Sequence, residues 1–110
     1  MIKKIAIALS LILLIVVVAG YVYITKNGLV PRHVYETVPP ELPDLTRPTI
    51  LIFNKTNGFI HHETIPVSDG MLTELAEQLG WNVFITSNAA IHNLKDLQKF
   101  EMVVWNNTSG

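Results

Sequence analysis

Hydrophobic and polar positions divide the sequence into three parts. Residues 5–24 contain no charge and are mostly aliphatic, so residues 1–26 predict a single apolar helix. Residues 27–48 carry five of the six prolines and no sustained apolar period, which is typical of an extended, semi-rigid linker that gives reach from the helix. In residues 49–110, short apolar runs alternate with helical periodicity, which indicates an α/β domain.

The third part predicts three strands separated by two helices. The strands are expected at residues 49–53, 81–86 and 101–106. The first is a continuous run of β-branched and aromatic residues, as in a parallel strand that is covered on both faces. Residues 93–100 supply a short helix between the second and third strands, so the predicted order is β-α-β-α-β.

The helix between the first two strands has a clear apolar period. Pro66 falls in its expected first turn, Gly80 is its expected C′ residue, and Thr64 or Ser68 is its expected N-cap. An apolar stripe at helical spacing predicts one core-facing side. The residues of that stripe are Val67, Met71, Leu72, Leu75, Ala76 and Leu79.

Right-handed crossovers make a flavodoxin-like, doubly wound parallel sheet the simplest arrangement of these elements. The first strand then lies between the other two, and the loops after the first and third strands lie side by side. Three covered strands need more helices than the sequence supplies, and so short a chain forms only a marginal core. We therefore expect residues 49–110 to be the front half of a larger domain.

The apolar first part has the length of a membrane span. About twenty residues at about 1.5 Å of helical rise cover roughly 30 Å, the thickness of a hydrocarbon core. Lys3 and Lys4 precede the span, whereas Lys26 and Arg32 follow it more diffusely, which favours an N-inside, single-pass orientation in the inner membrane. The alternative is a signal peptide that is cleaved near residues 18–20, followed by secretion.

Composition excludes several functions. The chain has no cysteine, so it carries no disulfide, thiolate metal site or cysteine nucleophile. A formal net charge of −1 without charge blocks gives no electrostatic footprint for nucleic acid. Neither common glycine-rich phosphate motif occurs, and no pattern identifies a cofactor.

The loop KTNGFIHHET, Lys55–Thr64, concentrates the candidate chemistry, because binding groups of open α/β sheets follow the carboxyl ends of strands. His61 is a candidate general acid or base near neutral pH, and Gly58 permits close backbone approach. The loop therefore predicts a polyol or sugar site. The other predicted ligand-binding residues of this region are Asn54, Thr56, Asn57 and His62.

Two other interpretations of this loop are open. In the first, it is only a turn: Gly58 adopts a positive φ and Phe59 returns to the core, while His61 and His62 cap the helix or meet solvent. In the second, the histidines bind a metal ion. The second is disfavoured, because adjacent histidines point apart and no histidine follows at helical i+4 spacing.

A second polar cluster, Asn106 to Gly110, follows the third strand. If the first strand is central, this cluster stands beside His61, and the two loops line one cleft. The predicted ligand-binding residues of this cluster are Asn106, Asn107 and Thr108.

Three segments together resemble the ThuA-like, or trehalose utilisation, family of the class I glutamine amidotransferase-like superfold. They are ILIFNKTNGFIHHETIP (residues 50–66), LGW (residues 79–81) and NLKDLQKFEMVVWNNTSG (residues 93–110). The resemblance places the family's loop histidine on His61 and its post-strand turn on residues 107–110. Ile60 stands where relatives often have a basic residue, which weakens any expectation of an anionic ligand.

The resemblance implies a role with a disaccharide or sugar derivative, and further strands that this sequence does not contain. We therefore predict a membrane-anchored, periplasmic ThuA-like domain that binds or processes a carbohydrate. Two alternatives stay open, namely a non-catalytic envelope interaction module and a truncated, inactive remnant. Whether the protein is an enzyme is also open at this point.

Overall fold

The computed structural model describes residues 1–30 and 33–109. Pro31 and Arg32 of the predicted linker, and Gly110 of the second polar cluster, lie outside the described residues. The protein combines an N-terminal apolar helix with a mixed α/β domain, as predicted. The elements are α1 (Ile2–Lys26), β1 (Thr49–Phe53), α2 (Thr64–Gln78), β2 (Asn82–Thr86), a 3₁₀ turn (Ala89–Ile91), α3 (Leu94–Leu97) and β3 (Met102–Trp105).

Helix α1 is long and apolar enough to cross a membrane. It has 25 residues, and its most apolar window has a mean hydropathy of 2.9 with no residue buried against the protein. The helix ends at Lys26, and Gly28, two residues later, has a left-handed φ of 66°. Leu29 N–H then donates to the carbonyl of Ile24 at 3.1 Å, so a carbonyl of the last turn is satisfied without a side chain.

The sheet has three parallel strands in the order β2-β1-β3, which confirms the predicted central position of the first strand. β1 pairs with β2 from Thr49 to Phe53 and with β3 from Ile50 to Phe53. Four of the five residues of β1 are buried, because neighbouring strands and packed segments cover it on both sides. This cover on both sides explains the continuous run of β-branched and aromatic residues in β1.

One apolar cluster covers a single face of the sheet. Its buried members are Leu51, Phe53 and Ile91, and the partly buried residues packed against them are Leu42, Phe84, Ala89, Leu97 and Phe100. Ile91 belongs to the 3₁₀ turn, which the sequence pattern did not predict. This turn and α3 together close that face.

Helix α3 begins at a reciprocal cap. The side chain of Asn93 accepts a hydrogen bond from Asp96 N–H at 3.0 Å, and its amide donates to the Asp96 carboxylate at 2.7 Å. The Asn93 amide and Lys99 lower the pKa of Asp96 by hydrogen bonding to its ionised form. The predicted helix in residues 93–100 is thus present as a shorter, well-capped turn.

Helix α2 starts earlier than its apolar period indicates. The predicted N-cap at Thr64 or Ser68 is wrong, because the cap is Glu63 and makes no side-chain capping bond. Ser68 lies inside the helix, where its hydroxyl donates to the carbonyl of Thr64 at 2.9 Å. The predicted C′ residue is confirmed: Gly80 has a φ of 73° and its N–H donates to Glu77 at 2.9 Å.

The buried face of α2 is narrower than its apolar stripe. Ala76 is buried and Leu72 is half-buried, so only part of the predicted core-facing side meets the sheet. Four residues at i+4 spacing remain 56–67% exposed and form one line along the helix. They are Val67, Met71, Leu75 and Leu79.

This exposed line lies on the flank of the domain beside β3. Ser68, which shares that side of α2, reaches Asn106 at the end of β3, whereas Thr73 on the other side lines a cleft beside β2. β3 itself exposes Met102 by 50% and Trp105 by 67%. Trp105 points to the sheet face opposite α2, because it is in register with Phe53 and its ring also meets His92.

The proline-rich segment 33–48 forms no helix or strand, but it lies against the domain. Lys55 pairs with Glu36, whose carboxylate also accepts a hydrogen bond from Ala89 N–H at 3.2 Å. Leu42 packs on the apolar cluster. The segment therefore runs along the domain, where the sequence predicted a spacer that holds the domain away from α1.

Candidate functional site

The two predicted loops meet at the carboxyl ends of β1 and β3. Asn57 N–H donates to the carbonyl of Ser109 at 2.7 Å, and Thr56 forms a parallel bridge with Ser109. Asn107 has a φ of 52°, a left-handed conformation that asparagine tolerates better than most residues. This conformation turns the chain after β3 towards the loop after β1.

A cleft of about 280 Å³ lies between these loops. It contains the predicted residues His61, Gly58, Asn107 and Thr108, together with Phe59 and Ser109, which the sequence analysis did not assign to a site. Its lining offers imidazole, amide, hydroxyl and backbone groups beside one aromatic ring. Groups of this kind suit a ligand that has several hydroxyls and an apolar face.

His61 is held at the mouth of this cleft by its neighbours. Its carbonyl accepts a hydrogen bond from Ile65 N–H at 3.1 Å, which anchors its backbone to the start of α2. Its ring meets Phe59 edge-on, with centroids 4.9 Å apart at 83°. The ring makes no hydrogen bond to any residue that the structure describes, so both nitrogens can meet a ligand.

Two parts of the interpretation of this loop as a turn are wrong: Phe59 is 47% exposed, and Gly58 has no left-handed φ. Its third part agrees with the structure, since His61 and His62 are both exposed. His61 and His62 both line a further recess of about 320 Å³ between this loop and the end of α1. The Nε2 of His62 lies 3.1 Å from the carbonyl of Lys26 at the end of α1.

Two predicted ligand-binding residues, Asn54 and Asn106, belong instead to an internal network with α2. Asn106 is only 8% exposed, and its amide lies 2.7 Å from both Ser68 Oγ and Asp69 Oδ1. The amide of Asn54 donates to Asp69 Oδ2 at 2.8 Å. These two asparagines therefore hold the strand ends in place, and Asn107 joins the same network, because its amide donates to Asn106 Oδ1 at 2.7 Å.

Ser68 and Asp69 were not among the predicted site residues, although the sequence contains a signal for them. They are two adjacent polar residues between Val67 and Met71, in a helix that was expected to be apolar on this side. A hydroxyl or carboxylate at such a position needs a buried polar partner. The polar ends of β1 and β3 supply these partners only after folding.

A second cleft of about 400 Å³ adjoins the first and shares Thr108 and Ser109 with it. Asn57 lines this second cleft together with Tyr35 and Lys55, which the sequence analysis had not selected. Thr56 faces a neighbouring recess of about 300 Å³. The predicted residues thus divide among adjoining recesses along one edge of the sheet.

The charge in this region is paired. The hydrogen bond from Lys55 lowers the pKa of Glu36, so this carboxylate stays ionised near neutral pH. The 280 Å³ cleft itself is lined by no lysine, arginine or carboxylate. Such a lining suits a neutral ligand better than a charged one.

Two further features of the described residues concern metal binding and the position of a larger cleft. Within residues 1–30 and 33–109, no group of three or more histidine, aspartate or glutamate side chains could hold a metal ion. A larger cleft of about 580 Å³ lies at the amino end of β2, between α2 and residues 43–47. None of the predicted site residues lines that cleft.

Comparisons of the chain with models of protein families, with curated proteins and with solved structures found no match.

Proposed function

We propose that this chain is a membrane-anchored ThuA-like domain protein that binds a neutral carbohydrate or related polyol outside the cytoplasm. One observation carries the proposal: His61, Asn107 and Thr108 line one cleft of about 280 Å³ at the carboxyl edge of a parallel sheet. Amide and hydroxyl groups both donate to and accept from sugar hydroxyls. Phe59 adds a surface for the apolar face of a sugar ring.

The strand order supports a ligand site at this position. β2 lies on one side of β1 and β3 on the other, so the chain reverses direction across the sheet between these strands. In doubly wound folds, ligands bind outside the carboxyl ends of strands at such a reversal. In this proposal the sheet is the first half of a flavodoxin-like, doubly wound domain.

The proposed location follows from α1 and its flanking charges. Lys3, Lys4 and the amino terminus closely precede the apolar run, whereas Lys26 and Arg32 follow it more diffusely, so the denser positive charge lies on the N-terminal side. The positive-inside rule then puts the N-terminus in the cytoplasm and the α/β domain in the periplasm. Retention of α1 makes the protein a single-pass inner-membrane protein.

The proposed role of His61 is to polarise or deprotonate one ligand hydroxyl. A neutral imidazole accepts the proton of a hydroxyl that is within hydrogen-bond reach. The edge contact with Phe59 limits rotation of the ring and keeps it at the mouth of the cleft. This is the chemistry that the site residues can supply without any other group.

A second candidate function is that of a non-catalytic interaction module in the envelope. The exposed apolar line of α2, with Met71, Leu75 and Leu79, favours this alternative. Contiguous exposed apolar surface marks sites of interaction with proteins or membranes. In this case the sugar site would select a glycan without converting it.

The full chain in a sugar-free detergent such as a dimethylamine oxide provides the test. Saturation-transfer NMR with trehalose as the probe should show binding that His61→Ala weakens by about tenfold, the effect of losing about 1.4 kcal/mol. The melting temperature should stay nearly unchanged, because His61 is exposed. His92→Ala is the matched control, since His92 is an exposed histidine that contacts Phe53 and Trp105 outside the cleft.

The same NMR sample separates the two functions. Loss of the anomeric proton signals of trehalose over time would show turnover, whereas saturable binding without product would favour the interaction module. If His61→Ala lowers the melting temperature strongly but leaves trehalose binding unaltered, the histidine is structural and the proposed role is wrong.

A further inference from the structure

The loop that carries His61 is packed against the end of α1. Ile60 N–H donates to the carbonyl of Asn27 at 3.3 Å, and His62 Nε2 lies 3.1 Å from the carbonyl of Lys26. Gly28 and Gly58 approach so closely that a Cβ at Gly28 would lie 2.0 Å from the Gly58 carbonyl oxygen. Backbone contacts therefore fix this loop to the helix end.

This contact sets the depth of the loop relative to a membrane. The uncharged run of α1 continues to Thr25, and Gly28 follows three residues later, about 5 Å along at helical rise. The headgroup layer on each side of the hydrocarbon core is about 5 to 7 Å thick. If α1 spans the bilayer, Gly58 and its neighbours lie at the headgroup layer.

The side chains around this contact suit such a position. Phe59 is 47% exposed, and Leu29 and Val30 at the end of α1 are 51% and 55% exposed. Aromatic and aliphatic side chains at the end of a membrane helix bind favourably at the lipid interface. Three exposed apolar residues thus share one end of the domain with the mouth of the cleft.

We infer that residues 58–62 rest on the bilayer surface and that the His61 cleft takes the neutral, hydroxylated headgroup of a membrane lipid. This inference rests on the proposed polyol site and names its ligand class as a glycolipid. The lining residues Gly58, Phe59, Asn107 and Thr108 carry no charge, which matches a sugar headgroup and not a phosphate. A lipid headgroup also reaches the cleft by lateral diffusion, without leaving the membrane.

The depth of the loop can be measured with spin labels, because the chain has no cysteine of its own. Phe59→Cys and Leu79→Cys are labelled separately in the full chain, in phosphatidylcholine nanodiscs. Leu79 is the control, since it is 61% exposed and lies at the opposite, amino edge of the sheet. At position 59, dissolved oxygen should relax the spin label more strongly than a water-soluble nickel complex does. At position 79, the nickel complex should have the stronger effect.

Equal nickel access at the two positions would overturn the inference. Gly28→Ala in the Phe59→Cys background should separate the loop from α1 and raise nickel access, because its Cβ meets the Gly58 carbonyl and its φ is 66°. Gly20→Ala is the matched control, since no atom lies within 4 Å of a Cβ there. If nickel access at position 59 does not change in Gly28→Ala, the contact between Gly28 and Gly58 does not set the depth of the loop in the membrane.

The source of the ligand is tested by NMR of the His61 ring in three nanodisc samples. One contains phosphatidylcholine alone, one adds monogalactosyl diacylglycerol, and one adds free methyl galactoside at a matched concentration. The inference predicts a shift of the ring signal with the glycolipid and a much smaller one with the free sugar. Equal shifts would contradict a lipid as the source of the ligand and leave the proposed function standing. No shift with either sugar would contradict both the glycolipid inference and the proposed function.

Discussion

The side-chain amide of Asn106 lies 2.7 Å from Asp69 Oδ1, which ties the residue after β3 to the second turn of α2. The other carboxylate oxygen of Asp69 accepts a hydrogen bond from Asn54, the residue after β1, at 2.8 Å. One carboxylate therefore holds the ends of two neighbouring strands. The loops that line the His61 cleft start from these two fixed points.

Removal of this carboxylate should destabilise the domain. Asp69→Ala leaves the buried amide of Asn106 with one partner fewer, and an unsatisfied buried donor costs about 1–3 kcal/mol in the free energy of unfolding. Urea unfolding of the full chain in micelles, followed by tryptophan fluorescence, measures the loss. Glu74→Ala, an exposed position on the same helix, is the control and should change little. An Asp69→Ala variant as stable as this control would show that the network contributes nothing.

Two glycines near α2 should respond to alanine with opposite signs. Gly70 lies inside the helix, and no atom lies within 4 Å of a Cβ there, so Gly70→Ala should stabilise by about 0.5–1 kcal/mol. Gly80 has a φ of 73°, so Gly80→Ala should destabilise by about 1–2 kcal/mol. Both stability changes are measured as shifts of the thermal unfolding midpoint of the full chain. A change of the same sign in both variants would contradict the described C-terminus of α2.

Burial, and not hydrophobicity alone, should decide the cost of truncating a leucine. Leu51→Ala should cost about 2–5 kcal/mol, because Leu51 is fully buried in β1. Leu75→Ala should cost less than about 0.5 kcal/mol, because Leu75 is 56% exposed on α2. The comparison uses the urea midpoint of the full chain. A large loss in Leu75→Ala would show that another surface covers the exposed line of α2 in solution.

The ion pair between Glu36 and Lys55 should make the stability of the domain depend on pH in the acid range. The hydrogen bond from Lys55 lowers the folded pKa of Glu36 below its ordinary value of 4.5. Its contribution is therefore fully present above pH 4.5 and is lost as the pH falls from there through the lowered folded value. Glu36→Gln should be less stable than the wild type at neutral pH and should lose less stability on acidification.

A pH series of urea midpoints in the full chain checks this dependence. Glu41→Gln is the control, since Glu41 is an exposed carboxylate of the same segment. Asp96, whose pKa is lowered mainly by the Asn93 amide, also makes stability depend on pH in the acid range. The slope of the urea midpoint against pH should therefore be smaller in Glu36→Gln than in the wild type, but not zero. Identical slopes for Glu36→Gln and the wild type would mean that the ion pair does not act on stability.

The sequence predicted the site in part because its residues lie in two short loops. Once β1 is central, the residues after β1 and β3 must be neighbours, and His61, Asn107 and Thr108 do line one cleft. Local sequence could not show that Asn106 turns inward, because its partners Ser68 and Asp69 are nearly forty residues away, as hydrogen bonds with sequence separations of 37 and 38 show. A polar residue in a loop binds a ligand or a distant part of the chain, and its sequence neighbours do not distinguish these roles.

The sequence by itself determined the elements whose cause is local. The uncharged run of α1, the β-branched run of β1 and the left-handed glycine after α2 each follow from side chains within one element. Only the tertiary structure decided that Gly28 meets Gly58, that segment 33–48 lies along the domain, and that α2 buries one part of its apolar stripe and exposes another. The physical reason is that these contacts join residues far apart in the chain, and packing selects them only when all the elements are in place.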